Sequence, residues 1–104
     1  MILVSTDTIP GKNIELLGIV KGTTIQTVNV GKDIGALFKT MVGGELQSYN
    51  EMLNKARALA TERMVQEAKA LGADGVVALR YASSSVMQSA AEVMVYGTAF
   101  RYAD

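Results

Sequence analysis

Cysteine, histidine and tryptophan are all absent from this 104-residue chain, and proline occurs once. Without cysteine there are no disulfides, thiolate nucleophiles or thiolate metal ligands. Without histidine there is no Ser-His triad and no imidazole acid/base chemistry, and every Cys/His zinc or haem arrangement is excluded. Charge of one sign is lacking too: ten Lys plus Arg balance ten Asp plus Glu, with a pI near 6.2. That leaves no basic excess to release counterions from a phosphate backbone, so nucleic acid is not an expected partner. Long apolar runs are also missing. Met1-Ile2-Leu3-Val4 gives way at once to Ser5-Thr6-Asp7 with no basic flank, far short of a signal peptide or a membrane helix. These features read as an intracellular, cytoplasmic protein with no membrane role, although a cysteine-free chain can fold in either redox compartment.

What is present is a chain 49% hydrophobic and 19% charged, enough for one compact domain over 1–104 and too short for two. Ile2 to Ser5 reads as a short strand ending before the Pro10-Gly11 turn signal. Ile14 to Thr27 is rich in strand formers and interrupted by Gly18 and Gly22. Such glycines mark bends, bulges or close backbone approach, so this is one long bent strand or a hairpin about Lys21-Gly22. Ile34, Leu37, Phe38 and Met41 suggest a short helix between Lys32 and Val42, weakened by Gly35 and stopped by Gly43-Gly44. A long helix is the clearest feature. Met52, Leu53, Ala56, Leu59, Ala60, Met64, Ala68 and Leu71 recur at three- and four-residue steps as one stripe. Ser48 with Glu51 reads as a capping box and Gly72 as a left-handed end, which places the helix at about Tyr49 to Leu71.

Val76 to Tyr81 reads as a mostly buried strand, and Ser83-Ser84-Ser85 as the start of a polar connection of roughly six to eight residues. The last strand is expected from Ala91 to Tyr102. Alternation puts Glu92, Met94, Tyr96, Thr98, Phe100 and Tyr102 on one face and Val93, Val95, Gly97, Ala99 and Arg101 on the other. Both faces are apolar, yet the helices can cover only one side of such a sheet. The expectation is therefore an α+β fold, one long helix on an antiparallel sheet, with further copies of the chain covering the second face.

Candidate functional residues are few. The carboxylates show no spacing that brings a pair together for acid/base work or a hard cation. Glu62 and Glu67 fall on the solvated helix face, and Glu51 reads as a cap. Glu45 follows Gly43-Gly44 ahead of the main helix, where free backbone N–H groups are expected. The stretch lacks the lysine and hydroxyl of a phosphate loop. The six methionines could in principle hold a soft cation, but Met52 and Met64 lie on the helix stripe, and core filling is the better reading. Arg80 and Glu92 would face each other across a hairpin centred near Val86, as a plain ion pair. Alternatively, Arg80, Ser83, Ser84, Ser85 and Gln88, repeated in each subunit around an oligomer axis, form a polar cluster for an anion or polar metabolite, and Glu45 and Glu92 complete the candidate ligand-binding residues. No catalytic residue and no cofactor emerge, and an enzyme is not expected.

Several blocks taken together resemble one family: Ile19-Val20-Lys21-Gly22, Val42-Gly43-Gly44-Glu45 with Ser48-Tyr49, Ala68 to Val77, and the ending Met87-Gln88 to Ala99 with its Ala-Ala-Glu and Tyr-Gly-Thr-Ala. They are similar to the YbjQ-like, or UPF0145, proteins, an uncharacterised group with a heavy-metal-binding label, and the likeness spans almost the whole chain. The resemblance implies a dodecin-like β-α-β-β subunit assembled as a ring, with a homopentamer as its form. Where many members carry an acidic Asp-x-Asp pattern, this chain has Leu79-Arg80-Tyr81, which disfavours a hard cation there. Zinc, cadmium and mercury are poor fits to a chain without Cys or His.

Overall fold

A computed structural model describes residues 1–27, 47–87 and 90–103. Its elements are β1 (Ile2–Leu3), β2 (Asn13–Thr27), α1 (Gln47–Ala70), β3 (Gly75–Met87) and β4 (Ala90–Ala103). The strands form one sheet in the order β1-β3-β4-β2. β2 and β3 both run antiparallel to β4, while β1 pairs parallel to β3 through Ile2 and Leu3. The sheet is therefore mixed, not antiparallel as the sequence suggested. β1 enters beside β3 in the same direction because it is separated from its neighbour by most of the chain, with no tight turn to reverse it. The expected helix between Lys32 and Val42 lies outside the described residues.

β2 is one strand, not a hairpin about Lys21-Gly22. Its pairing with β4 shifts register between Leu16 and Gly18, and Gly18 holds φ +131°, a conformation that L side chains rarely adopt. Gly22 has a different role: a Cβ there would overlap the carbonyl of Ala60 and the backbone nitrogen of Met64. The absent side chain lets α1 settle directly on β2. Ala56, Ala60, Met64 and Ala68 line the buried stripe of α1 and pack with Val20, Val76, Val93, Val95 and Ala99 into the core. The small alanines are what permit this close helix-to-sheet approach.

α1 is described from Gln47, two residues earlier than expected, and the side chain of Ser48, with the capping box read from it, lies outside the described residues. The C-terminal end matches the reading closely. Gly72 holds φ +76°, Gly72 N–H donates to the Lys69 carbonyl at 3.0 Å, and Ala73 N–H donates to the Ala68 carbonyl at 3.1 Å. This is a Schellman end, which satisfies carbonyls the helix leaves free.

β3 runs on to Met87, so Ser83, Ser84 and Ser85 are strand residues paired with Val93, Glu92 and Ala91. The connection to β4 is thus much shorter than the six to eight residues expected. Serine has little intrinsic preference for a strand, but fourteen residues of β4 alongside provide a ladder that overrides it.

Candidate functional site

The helix side and the open side of the sheet carry different chemistry. Along β4, Val93, Val95, Gly97 and Ala99 are buried toward α1, while Glu92, Met94 and Thr98 are half-buried and Tyr96 is 40% exposed on the opposite face. Pairing continues that outer face onto β2 through Ile25, Thr23, Lys21 and Ile19, and onto β3 through Ser84, Ala82 and Arg80. Ile19 is 79% exposed and Ile25 58%. The second apolar face anticipated from alternation is therefore present, and no described element lies across it at these residues. Toward the C-terminal end of β4 the face differs: Phe100 is fully buried, edge-on to Tyr102 at 5.3 Å and packed where Gly75 leaves room.

The seven candidate residues do not converge on one point. Arg80 pairs with Tyr96, whereas Glu92 pairs with Ser84, so the hairpin is centred two residues later than expected and Arg80 does not face Glu92. Four strand positions separate them, about 13 Å. Arg80 Nη1 instead donates to the Ser5 carbonyl at 2.8 Å and to the Leu79 carbonyl at 2.9 Å. Ser84 and Glu92 are cross-strand neighbours on the outer face. Ser83 and Ser85 point to the helix side, beside Tyr81, whose hydroxyl meets Thr61 Oγ1 at 2.8 Å. Glu45 and Gln88 lie outside the described residues.

Sequence reasoning missed two groups that treat the sheet edge as a hydrogen-bonding surface. Glu67 Oε1 accepts the Lys21 N–H at 3.3 Å, and Arg63 Nη1 donates to the Thr23 carbonyl at 2.7 Å. Arg63 and Glu67 are four residues apart on α1, one helical turn, so both reach over the edge of β2. That i, i+4 spacing was visible in the sequence, but nothing there indicated that an edge strand would run beneath it. A second missed feature is Ala78, at φ +54° where β3 shifts register. Its conformation turns two successive N–H groups outward, so that Ala78 N–H donates to the Thr6 carbonyl at 2.8 Å and Leu79 N–H to the Val4 carbonyl at 3.1 Å. Arg80, one residue on, adds the third tie to this N-terminal segment.

The family model described as "Putative heavy-metal-binding" matches residues 1–103. The chain belongs to the YbjQ-like, UPF0145 family. A UPF0145 protein of Clostridium novyi is 62% identical over 101 residues, covering 97% of this chain and 98% of its own length. Another from Alkaliphilus metalliredigens is 60% identical over 102 residues, covering 98% and 99%. Among solved structures, a protein of unknown function of the DUF74 family from Pediococcus pentosaceus superposes with TM-score 0.68 at 16% identity, covering 99% of this chain and 98% of its own. That likeness speaks for the fold alone.

The YbjQ-like label raises the question whether these residues suit a heavy metal, and they do not. The full chain offers neither thiolate nor imidazole. Among the described residues no three carboxylates gather at one place. Three carboxylates already accept protein donors: Glu15 from Arg101 at 3.0 Å, Glu67 from Lys21 N–H, and Asp74 Oδ2 from Tyr102 N–H at 2.8 Å. Met52 and Met64 are buried in the helix stripe. Among the described residues no helix is long and apolar enough to cross a membrane.

Proposed function

We propose that this chain works as a cytoplasmic homo-oligomeric ring of dodecin-like subunits, five in number as the family resemblance implies, that binds a small polar ligand or ion without catalysing its conversion. One observation carries the assembly: the sheet is covered by α1 on one side, while Ile19, Ile25 and Tyr96 stand exposed on the other. Apolar area of this kind is stabilised by burial at about 25 cal/mol per Å², and a symmetric copy is the simplest cover for a face every subunit shares. The ligand reading rests on Ser84 and Glu92, adjacent on that same outer face and repeated once per subunit. Arg80 is already committed to Ser5 and Leu79 and lies four strand positions away from Ser84, so it stands outside this pair. With the metal label unsupported by the donor set, a polar organic molecule or a hard ion held by oxygen ligands fits better than a thiophilic cation.

The second reading, a structural or protein-interaction ring with no small-molecule site, draws on the dispersal of Arg80, Ser83, Ser84, Ser85 and Glu92 over two faces. Native mass spectrometry followed by denaturation of the same sample separates the two. Excess mass that leaves on denaturation supports a ligand; a bare multiple of the chain, with no ligand raising the melting temperature in a metabolite screen, supports the structural ring.

A further inference from the structure

The described edges of the sheet are not equally open, and what remains open on one is complementary to what remains open on the other. On β2, the Lys21 N–H and the Thr23 carbonyl are held by Glu67 and Arg63. Both groups therefore point away from β4. Because a strand residue sends its N–H and C=O to the same side, the Lys21 carbonyl, the Thr23 N–H and both groups of Ile25 point outward too. Tyr96, the partner of Lys21, must then direct its own N–H and C=O toward Arg80. The next residue along β3, Tyr81, points its groups outward, and so does Ser83. On the same edge further back, the outward groups of Val76, Ala78 and Leu79 are bonded to Val4 and Thr6. Among the described residues the open edge of β3 thus begins at Tyr81, and on β2 the Lys21 carbonyl, the Thr23 N–H and both groups of Ile25 are left unpaired.

We propose that the outer edge of β3 pairs in parallel with the outer edge of β2 of a neighbouring copy of this chain, with Tyr81 opposite Gly22 and Ser83 opposite Thr24. In a parallel ladder one residue accepts from the N–H following its partner and donates to the carbonyl preceding it. Tyr81 would then take the Lys21 carbonyl and the Thr23 N–H, the two groups that Glu67 and Arg63 leave free. Ser83 would take the Ile25 N–H and the second lone pair of the Thr23 carbonyl. The ladder starts at this point because on β3 the outward groups before it are bonded to Val4 and Thr6, and on β2 the Lys21 N–H is held by Glu67.

Three further observations select a copy of this chain as the occupant. β2 and β3 both run antiparallel to β4, so they are parallel to each other, and rotation about an axis along the strands brings them together with that direction kept. Tyr81 and Gly22 both lie on the helix side of the sheet, so the neighbouring helices stay on one side. On the outer face the small Ser84 comes level with the exposed Ile25, which gains cover without a clash. A contact between two different edges is head-to-tail, the kind that closes a ring, and it removes two strand edges that would otherwise invite indiscriminate pairing.

This inference rests on the self-association proposed above, and the test keeps the two apart. The native mass of the wild-type chain is measured first, and a single chain would overturn both. In an assembled protein, amide hydrogen exchange at Tyr81, Ser83, Thr23 and Ile25 is expected to be at least 100-fold slower than in an unpaired strand edge, and unprotected exchange at these four overturns the pairing while leaving assembly intact. Ser83→Pro removes an outward N–H and leaves the ladder to β4 whole. It is expected to reduce the assembly to the 11.1 kDa chain with the far-ultraviolet circular dichroism of the wild type retained. Thr23→Pro tests the partner edge and should do the same. Folded variants that both stay assembled would overturn the proposal; if either fails to fold, the exchange measurement on the wild type decides.

Discussion

Arg80 Nη1 donates to the carbonyl of Ser5, seventy-five residues earlier in the chain, at 2.8 Å. The bond makes the one charged side chain in the first half of β3 a clamp on the N-terminal segment, alongside the outward N–H groups of Ala78 and Leu79. Arg80→Ala is expected to lower unfolding stability by about 1 kcal/mol. It should also speed exchange of the Val4 and Leu79 amides. Unchanged melting and unchanged exchange would show that the contact is idle.

Gly22 has no positive φ, so backbone strain does not explain it, yet a Cβ there would run into the backbone of α1. Gly22→Ala should destabilise by about 1–3 kcal/mol through forced separation of helix and strand. Gly11, at φ +73° with open space around it, gives the contrast. Gly11→Ala should cost only about 1 kcal/mol, from conformation alone. Equal losses in denaturant unfolding would mean that α1 is not in close contact with β2.

Met64 is fully buried between Ala60 and Ala68 on the helix stripe. Its truncation to alanine should cost about 2–5 kcal/mol, whereas Met64→Leu, which nearly conserves volume, should cost less than about 1.5 kcal/mol. A mild effect of the alanine change would place Met64 outside the core.

Dialysis against zinc or cadmium followed by elemental analysis should leave far less than one metal per chain, with no rise in melting temperature. The absence of Cys and His carries this expectation. Stoichiometric metal would mean that oxygen ligands from several copies meet at one place.

Much of this architecture was legible because the signals were local and redundant. The stripe from Met52 to Ala68 and the glycine end at Gly72 depend on residues within a turn of each other. The alternation from Glu92 to Ala99 separated the two faces correctly. What escaped depended on partners remote in sequence. The parallel β1 is set by contact with Gly75 and Val76, and the serines of β3 are strand because β4 lies beside them. The Arg80–Glu92 pairing failed for a geometric reason: the hairpin centre lies two residues beyond the expected one, which carries a strand residue four positions past its supposed partner. The caps on the edge of β2 were invisible because charged residues on a helix read as solvated until a strand edge is known to run below them.

The most direct test of the account is the native mass of the untagged protein at micromolar concentration. A five-fold multiple of the 11.1 kDa chain is the predicted result. A single sharp species at the mass of one chain would contradict it, because Ile19, Ile25 and Tyr96 would then be exposed to water by design and not awaiting a copy.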